Sequence, residues 1–422
     1  MSETKGEILL LGAAGFIGQF IAIALSDAGY TVLASARNTT RLSAMGFQTL
    51  QADLTDRETH SPEFWRPHLK TCTHVINCAG LLTGSDYAFQ SVHITAPVAV
   101  YAAMPDGAQT ILISAIGTEA TTRFAHYRRL GEETAQTATI LRPGLVLGDG
   151  SYGGSSLARA LAALPLVIPV VGKGNQTFNP IHAGDLVALV IEALQNPATN
   201  PIEVGGPETV TQTALLTKLR QWLGLRPARP LHIPLPVARL MGRIGDALRL
   251  APISATSVRQ LEQGVAADTT DQNHHFKTRP RAFTTFLNAS PSQTQDLWHA
   301  RLYLLRPVLR LTLAFMWLVS GLIGLLLPTD AFLPAVTGLL PDTALIATAR
   351  ISGIIDLLIA LALFRAYRLK SLAWVQFAMV AGYTTGLTLI APHLWLDPFG
   401  GLLKNLPILV LILIHRVLEE ER

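Results

Sequence analysis

Hydrophobic and polar positions follow two alternating rhythms along the first part of the chain. Short apolar runs of strand length occur at residues 8–11, 31–36, 51–54, 73–80, 110–114 and 138–141. Between them, apolar residues recur at helical spacing, most clearly over 16–25, 87–103 and 122–137. Strands that alternate strictly with helices are typical of a doubly wound parallel sheet. The pattern therefore predicts an α/β fold for this part of the chain.

The rhythm changes near residue 309, where the chain becomes almost continuously apolar. Four apolar stretches follow, at 309–327, 345–364, 372–390 and 402–414. The first three have the length of about 20 residues that a helix needs to cross a bilayer. The fourth is shorter unless residues 398–400 extend it. We therefore predict an all-α bundle of four transmembrane helices, separated by prolines.

The two patterns divide the chain into three predicted regions. Residues 1–290 form the α/β domain, with a small additional lobe built mainly from about residue 145 onward. Residues 291–306 form a linker and an amphipathic helix, in which Trp298 and Tyr303 suit the membrane interface. Residues 307–422 form the membrane domain.

Composition supports a membrane-embedded part. The 422 residues are 49% hydrophobic and only 15% charged, and the mean hydropathy is +0.35. Soluble domains carry about 25% charged residues. The formal net charge is +4, but no basic run interleaved with aromatic residues is present. We therefore attribute the excess of basic residues to a membrane, and predict a lipid bilayer and not nucleic acid as the partner.

The distribution of basic residues predicts the orientation in the membrane. Arginines precede the first apolar stretch, basic residues lie between the second and third, and Arg416 follows the fourth. The other two connections carry acidic residues and no lysine or arginine. By the positive-inside rule, both termini and the α/β domain are cytoplasmic. We therefore predict a multi-pass protein of the cytoplasmic (inner) membrane.

A glycine-rich turn after the first strand indicates a dinucleotide site. Gly12, Gly15 and Gly18 have the spacing G-x-x-G-x-x-G between an apolar strand and a helix. Gly12 allows the tight turn, Gly15 lets the backbone approach a pyrophosphate, and Gly18 lets the helix pack closely on the strand. The backbone N–H groups of the same turn and helix start would bind the phosphates. These groups belong to Ala14, Phe16 and Ile17. The alternative is an ordinary strand–turn–helix without a ligand.

The ends of the following strands predict how the rest of the dinucleotide binds. Arg37 ends the second strand, where an acid would select NAD, and a cation there suits the 2′-phosphate of NADP. We therefore expect NADP(H) to be preferred, with NAD possible. The alternative for Arg37 is an exposed residue at a strand end. The small residues Ala79 and Gly80 end the fourth strand, and they leave space for a cofactor to pass.

Several motifs together resemble the extended and atypical short-chain dehydrogenase/reductase (SDR) superfamily. The resemblance covers roughly residues 6–290 and is nearest to the NAD(P)-binding branch that includes an accessory subunit of respiratory complex I. Its motifs are the glycine turn, Arg37, Asp53-Leu54, Ser114, Arg142-Pro143-Gly144 and Pro180-Ile181-His182-x-x-Asp185. The resemblance implies that Asp53, Leu54 and Pro143 line the cofactor site. It also implies a small substrate lobe after Pro143. For His182 and Asp185 we favour a structural role at the start of a helix, and the alternative is contact with a ligand.

The catalytic signature of this family is only partly present. The family uses a Ser and a Tyr-x-x-x-Lys motif on the following helix, and Ser114 matches the Ser. Alignment on Leu130-Gly131-Glu132, a segment that commonly follows the motif, puts Phe124 at the Tyr position and Arg128 at the Lys position. A phenyl ring cannot transfer a proton, whereas Arg128 can still hold a ribose hydroxyl.

Tyr127 offers a second interpretation of the same helix. It lies on nearly the same face as Phe124 and Arg128, so a shifted helix would bring its hydroxyl to the pocket. The residue four positions later is then Gly131, not a lysine. Both possibilities remain open at this point: a degraded reaction, or chemistry through Tyr127, His126 or a substrate group.

The last quarter of the chain resembles the DoxX-like family of small four-helix membrane proteins. The resemblance depends on Asp397-Pro398 and on Lys404-Asn405-Leu406-Pro407. Asp356 lies near the middle of the second apolar stretch, and such residues usually mark functional sites. We predict a polar membrane site of Asp356, Lys404 and Asn405, with Arg350 or Lys404 as the partner of the acid. The alternative is that Asp356 is a satisfied packing residue.

Two functions from different classes follow from these patterns. The first is a membrane-anchored NADP(H)-dependent oxidoreductase that acts on a lipophilic carbonyl or quinone-like substrate, through Ser114, Tyr127 and Arg128. The second is a non-catalytic nucleotide-binding protein with a structural, assembly or redox-sensing role beside a membrane protein partner. No ligand pattern for a metal is present in either case.

Overall fold

The computed structural model describes residues 5–250, 253–333, 340–398 and 400–420. The chain divides into two compact units. The first contains the chain up to Gly242 together with Ala255–Ala300. The second contains Arg243–Ser254 and the chain from Arg301 onward.

The first unit is built on a seven-stranded parallel sheet. Its strand order is β11-β6-β5-β4-β1-β2-β3. The strands are β1 (Glu7–Leu11), β2 (Thr31–Ala36), β3 (Gln48–Gln51), β4 (Cys72–Asn77), β5 (Gln109–Ile113), β6 (Thr139–Pro143) and β11 (Ile202–Val204). The order reverses between β1 and β4, and this switch point is where ligands bind in such sheets. The prediction of a doubly wound parallel sheet is confirmed.

Helices cover both faces of this sheet. They are α1 (Phe16–Asp27), α2 (Thr40–Ala44), α3 (Pro62–Leu69), α4 (Asp86–Gln90), α5 (Ala96–Ala103), α6 (Arg123–Thr134) and α8 (Ala183–Gln195). Successive side chains of a strand point to opposite faces. In β1, Ile8 and Leu10 accordingly pack with Ile21 of α1, whereas Leu9 and Leu11 pack in the layer of α3 and α5. This explains why β1 is apolar at every inner position.

Several predicted elements differ in the structure, and the fourth strand ends at Asn77 and not at Gly80. The third strand ends at Gln51, because Asp53 Oδ1 accepts hydrogen bonds from the Thr55 N–H and hydroxyl and turns the chain. The helix predicted over 87–103 contains a π-helical turn, Ser91–Thr95, between α4 and α5. Such turns contain an extra residue and frequently occur at functional sites.

Short strands and further helices form the small lobe after Pro143. The strands are β7 (Val146–Leu147), β8 (Val167–Val171), β9 (Thr177–Phe178), β10 (Ile181–His182), β12 (Val210–Thr211) and β13 (Arg229–Ile233). The helices are α7 (Gly154–Ala162), α9 (Gln212–Trp222), α10 (Leu235–Ala247), α11 (Ala255–Gln263), α12 (Thr270–His275) and α13 (Phe283–Ala289). His182 accepts the Gly184 N–H at the start of α8, and Asp185 pairs with Arg281. His182 and Asp185 thus both have protein partners at the start of α8.

The second unit is helical. Its elements are α14 (Thr294–Leu326, beginning in the first unit), α15 (Thr329–Phe332), α16 (Asp342–Phe364), α17 (Leu369–Ile390) and α18 (Asn405–Leu418). Within the described residues, three helices are long and apolar enough to cross a membrane: α14, α16 and α17. The fourth predicted span begins as a 3₁₀ turn, Leu402–Lys404, and continues as α18 with 14 residues. It is therefore shorter than a bilayer-spanning helix.

Glycines allow α14 and α16 to cross closely. A Cβ on Gly353 would lie 3.0 Å from the carbonyl oxygen of Gly321, and one on Gly324 would lie 3.0 Å from the Gly353 Cα. Small residues at such a crossing permit the dense packing that holds membrane helices together. The predicted interfacial helix is continuous with the first span, because α14 runs unbroken from Thr294.

Candidate functional site

The glycine turn lies between β1 and α1, at the switch point of the sheet. Gly12 has a φ of +75°, and a Cβ there would lie 2.8 Å from the Ala79 backbone nitrogen. A Cβ on Gly18 would overlap the carbonyl oxygen of Gly12. Gly12 is therefore required by both conformation and space, and Gly18 by space. The sequence-based roles of these two glycines agree with their surroundings.

The N-terminus of α1 is available to an anion. Gly15 is its exposed N-cap residue, and no side chain caps the helix among the residues that the structure describes. The first N–H groups, including those of Phe16 and Ile17, therefore keep their hydrogen-bonding capacity. Ala14 is held by the Gln19 side-chain amide, which donates to its carbonyl oxygen at 2.7 Å.

The ends of β2 and β3 present the other predicted cofactor residues. Arg37 directly follows β2 and is exposed. Asp53 is partly buried, and its Oδ1 is occupied by Thr55. The side chain of Leu54 is buried in the core layer with Trp65. Arg37 and Asp53 are therefore open to a ligand, whereas Leu54 supports the position of the loop.

Arg128 lies at the exits of β4 and β5. Its Nη1 donates to the carbonyl oxygen of Ile113 at 3.0 Å, and a Cβ on Gly80 would overlap its Nη2. Its Nε is buried without a hydrogen-bond partner in the described structure. Burial lowers the pKa of Arg128 to about 10, so the side chain remains a cation near neutral pH. A fixed cation thus faces the switch point with unused hydrogen-bonding capacity.

Phe124 lies one helical turn before Arg128 and opens onto a cleft. The guanidinium carbon of Arg128 is 5.6 Å from the centre of the Phe124 ring. The cleft is lined on the other side by residues of α11, including Thr256, Arg259 and Gln260. On the alignment predicted from the sequence, the position of the SDR proton donor is occupied by this apolar ring, which faces the small lobe.

Ser114 takes part in a buried polar network that sequence reasoning missed. Its hydroxyl donates to Glu132 Oε1 at 2.5 Å. Glu132 also accepts from Arg142, with Nε–Oε1 at 3.0 Å and Nη2–Oε2 at 2.5 Å. The Ser114 proton is thus directed to Glu132. The sequence signal for this role of Arg142 was its charge inside the apolar run of strand β6.

Tyr127 faces a different neighbour from Arg128. Its ring stacks on Phe89 of α4, with 5.3 Å between the ring centres. Phe89 stacks in turn on His93 in the π-helical turn. The Nε2 of His93 accepts the Leu81 N–H, and burial together with the Arg128 charge lowers the pKa of His93 to about 3. His93 is therefore a neutral buried residue, which the sequence pattern did not reveal.

Gly131 allows α6 to pack closely against the π-helical turn. A Cβ on Gly131 would lie 2.7 Å from the carbonyl oxygen of His93. Glycine at this position therefore lets α6 approach the π-helical turn, and the next residue, Glu132, reaches Ser114. The Leu-Gly-Glu segment has a physical reason for its composition, and Phe124 and Arg128 precede it on one helical face.

These features fit a dinucleotide. The turn has no room for a side chain at Gly12 or Gly18, and the uncapped start of α1 suits a pyrophosphate. Arg128 adds a buried, unpaired Nε, and its guanidinium lies against Gly80. Ala79 and Pro143 are buried at the exits of β4 and β6 and bound the same edge of the sheet.

The second unit buries a separate polar cluster. Asp356 of α16 accepts hydrogen bonds from Ser320 at 2.6 Å and from Tyr383 at 2.7 Å. The expectation that Arg350 or Lys404 pairs with Asp356 is wrong. Arg350 instead donates to the carbonyl oxygens of Gly324 and Leu327 at the end of α14.

The other two residues of the predicted membrane site lie apart from this cluster. Lys404 is exposed. Asn405 donates to the hydroxyl of Thr384 at 2.9 Å and so joins α18 to α17. Among the described residues, the hydrogen-bond partners of Asp356 are therefore hydroxyl groups on neighbouring helices and not cations.

Comparison with known families agrees with both units. Residues 8–110 match the model of the NAD dependent epimerase/dehydratase family, and residues 314–413 match that of the DoxX-like family. The chain therefore combines an N-terminal domain of the epimerase/SDR family with a C-terminal DoxX-like domain.

Three curated relatives share the N-terminal part. A chloroplastic epimerase family protein, the SDR39U1 homologue of Arabidopsis thaliana, is 26% identical over 286 residues, covering 58% of this chain and 77% of the relative. The ceramide reductase of Caulobacter vibrioides is 24% identical over 257 residues, covering 58% and 79%. The mitochondrial NADH dehydrogenase [ubiquinone] 1 alpha subcomplex subunit 9 of Arabidopsis thaliana is 24% identical over 295 residues, covering 62% and 69%.

Solved structures share the fold. The structure of gox2253 superposes with a TM-score of 0.53 at 15% identity and covers 70% of this chain and 99% of its own. The epimerase Mth375 of Methanothermobacter thermautotrophicus superposes with a TM-score of 0.51 at 13% identity, covering 70% and 94%.

Proposed function

We propose that this protein is a membrane-anchored NADP(H)-dependent oxidoreductase that reduces a lipophilic, quinone-like or other carbonyl substrate. The observation that carries the proposal is the position of Arg128. It is a fixed cation at the exits of β4 and β5, beside Gly80, and its Nε is buried and unpaired. Such a group can hold a ribose hydroxyl and stabilise negative charge that develops on a substrate oxygen.

Binding is divided among residues that the fold brings to one edge of the sheet. Gly12, Gly15 and Gly18 shape the proposed pyrophosphate site, and the exposed cation of Arg37 after β2 supports a contact with a 2′-phosphate, which is why we propose NADP over NAD. When bound, the reduced nicotinamide supplies a hydride. The chain itself supplies positioning and charge at the substrate oxygen.

The absence of a hydroxyl at Phe124 favours a quinone among carbonyl substrates. Hydride transfer to a simple ketone leaves an alkoxide, a strong base that must receive a proton from a positioned acid. Hydride transfer to a quinone leaves a hydroquinone anion, which is a much weaker base and takes its proton from water. Ser114 is occupied by Glu132 and Tyr127 is stacked on Phe89, so neither supplies a ready donor. For a quinone, the positive charge of Arg128 is enough to stabilise the hydroquinone anion.

The membrane location is supported by α14, α16 and α17, which have the length and composition of spans. The ceramide reductase relative is named for a lipid substrate, which agrees with a substrate drawn from a bilayer. We propose that the chain lies in the cytoplasmic membrane with both termini and the epimerase/SDR-type domain on the cytoplasmic side.

The proposal is tested with the full chain in nanodiscs. NADPH-loaded protein is mixed anaerobically with a short-chain quinone, and the near-ultraviolet absorbance of the reduced nicotinamide is followed. We expect oxidation of NADPH, and a loss of about tenfold or more in turnover for Arg128→Ala, because one charged hydrogen-bonding group at a transition state contributes at this scale. Arg128→Lys should retain part of the rate.

Arg66→Ala provides the matched control, since Arg66 is exposed on α3 and pairs only with Glu63 among the described residues. Tight NADPH binding without oxidation by any quinone or ketone would contradict the enzymatic proposal. Equal rates for the wild type and Arg128→Ala would contradict the role of Arg128.

A second function is favoured by a specific observation. Ser114, Glu132 and Arg142 form a closed buried network, and Phe124 replaces the proton donor. This arrangement suits a non-catalytic nucleotide-binding module with a structural or redox-sensing role beside a membrane partner. The same nanodisc experiment distinguishes it, because such a module binds NADPH but leaves it unoxidised.

A further inference from the structure

Helix α10 exposes an apolar stripe that its own fold does not cover. Val237, Leu240, Met241 and Ile244 have the spacing i, i+3, i+4, i+7 and therefore lie on one side of the helix. Their side chains are 46%, 56%, 42% and 46% exposed. Contiguous exposed apolar patches of this kind mark surfaces that bind a protein, a ligand or a membrane.

The stripe is not the side of α10 that packs against the protein. That side is formed by small residues, Ala238, Gly242 and Gly245, which are buried. A third side carries the exposed arginines Arg239 and Arg243. The helix therefore has separate packing, apolar and charged sides, and the apolar side is left outward.

The chain that follows α10 is fixed to the helices of the second unit. Arg310 of α14 donates from Nη2 to the carbonyl oxygens of Leu248 at 2.5 Å and Arg249 at 3.1 Å. Arg249 in turn donates to the carbonyl oxygen of Arg365, the residue after α16. Arg310 precedes most of the apolar part of α14, and Arg365 follows that of α16. The C-terminal end of α10 is thus held where two candidate membrane helices leave their apolar segments.

We propose that α10 lies in the membrane–water interface, with Val237, Leu240, Met241 and Ile244 among the lipid acyl chains. This inference rests on the proposed insertion of α14, α16 and α17. Amphipathic helices with basic polar sides bind at this depth, with the apolar side about 5–10 Å into the headgroup and acyl boundary.

Charge and position favour lipid over a protein partner. Arg243 and Arg249 flank the stripe, and Arg365 and Arg368 lie in the connection to which its end is bound. These cations complement lipid phosphates, each contributing about 1 kcal/mol near an anionic surface.

The test measures lipid contact at single labelled positions of the full chain in nanodiscs. A polarity-sensitive fluorophore is attached at Leu240→Cys, Ile244→Cys, Arg243→Cys and Phe315→Cys, and quenching by lipids brominated in the acyl chain is recorded. Burial raises the pKa of Cys72 to about 11 and of Cys78 to about 12, so brief labelling at neutral pH selects the introduced thiols.

We expect the labels at positions 240 and 244 to lose about half of their emission in brominated nanodiscs, because the stripe reaches the acyl boundary. The label at 243, on the charged side of the same helix, should lose several-fold less. Phe315 is 64% exposed on α14, and its label reports on membrane insertion itself.

Each outcome decides one question. No quenching at 315 would overturn the membrane insertion on which the inference rests. Quenching at 315 without quenching at 240 and 244 would overturn only the docking of α10. Shielding of 240 and 244 from aqueous iodide without lipid quenching would show a protein, such as a second copy of the chain, on this face. Equal quenching at 240, 243 and 244 would contradict the proposed orientation.

Discussion

At the scale of single residues, the alignment predicted from the sequence contains two exchanges in the SDR signature, one that changes the chemistry and one that preserves it. Phe124 removes the group that would transfer a proton. Arg128 keeps a cation at the exits of β4 and β5 and adds hydrogen-bond donors in a rigid plane. Charge stabilisation is thus retained where proton transfer is lost, which is the combination that a quinone-like substrate needs.

Phe124→Tyr should add carbonyl reductase activity. The new hydroxyl would stand near the Arg128 guanidinium, whose carbon is 5.6 Å from the ring centre, and that charge would make the phenol a stronger acid, which gives its proton to the alkoxide more readily. We expect turnover of lipophilic ketones to rise by about a hundredfold, the lower end of general acid catalysis, while quinone turnover changes little. NADPH oxidation with each substrate class measures the effect.

Phe124→Leu is the control for this gain, because it alters the ring without adding a hydroxyl. A rise in ketone turnover with Leu as well as Tyr would show that cleft shape, and not the acid, is responsible. No rise with Tyr would mean that the substrate carbonyl does not approach this side of α6.

At the scale of elements, α6 joins the catalytic candidates to the support beneath them. Phe124, Arg128 and Glu132 recur every four residues and share a face, so one helix presents a cleft wall, a cation and a buried carboxylate. Gly131 lets this helix approach the π-helical turn, where His93 accepts the Leu81 N–H. The position of Arg128 therefore depends on a neighbouring element whose histidine must remain neutral.

His93 should make the stability of the first unit fall in mild acid. Its pKa is about 3 in the folded chain, lowered from 6.5 by burial and by the Arg128 charge. Between these two values the unfolded chain binds more protons than the folded one, so stability is lost as the pH falls below about 6.5. The expected slope reaches up to about 1.4 kcal/mol per pH unit.

Denaturant unfolding of the first unit, followed at several pH values by loss of bound NADPH fluorescence and by circular dichroism, measures this slope. His93→Gln keeps an acceptor for the Leu81 N–H but cannot titrate, so its curve should be flatter by that amount. Parallel curves for the two proteins would refute the assignment of the slope to His93.

At the scale of the whole molecule, the two units differ in how far the sequence predicts them. The glycine turn and the parallel sheet are predicted because an apolar strand, a tight turn and an amphipathic helix are local patterns. The Ser114–Glu132–Arg142 network joins residues from three elements and leaves no periodic signal. In the second unit, spans are predicted from hydropathy, but the partners of Asp356 are not.

The predicted pairing of Asp356 with Arg350 or Lys404 fails for a physical reason. Arg350 is one helical turn and a half from Asp356, but its guanidinium satisfies carbonyl oxygens at the end of α14, which carry partial negative charge. The hydroxyls of Ser320 on α14 and Tyr383 on α17 reach the acid instead, and these side chains have fewer rotatable bonds to order than a lysine or an arginine. Which side chains bind Asp356 therefore depends on which helices cross, and the crossing is set by glycines distant in sequence.

The crossing itself gives the last prediction. Gly353→Leu should destabilise the helical unit, because a Cβ there would already lie 3.0 Å from the Gly321 carbonyl oxygen and a larger side chain would force α14 and α16 apart. We expect a loss of about 1–3 kcal/mol, the usual effect of overpacking, seen as a lower midpoint for loss of helicity in detergent. Gly382→Leu is matched in chemistry on α17, where a Cβ meets nothing within 4 Å, and should leave the midpoint nearly unchanged. NADPH affinity should be retained in both variants if the units fold separately. Equal midpoints for the two variants would contradict the close crossing, and a joint loss of NADPH binding with helicity in Gly353→Leu would show that the two units unfold together.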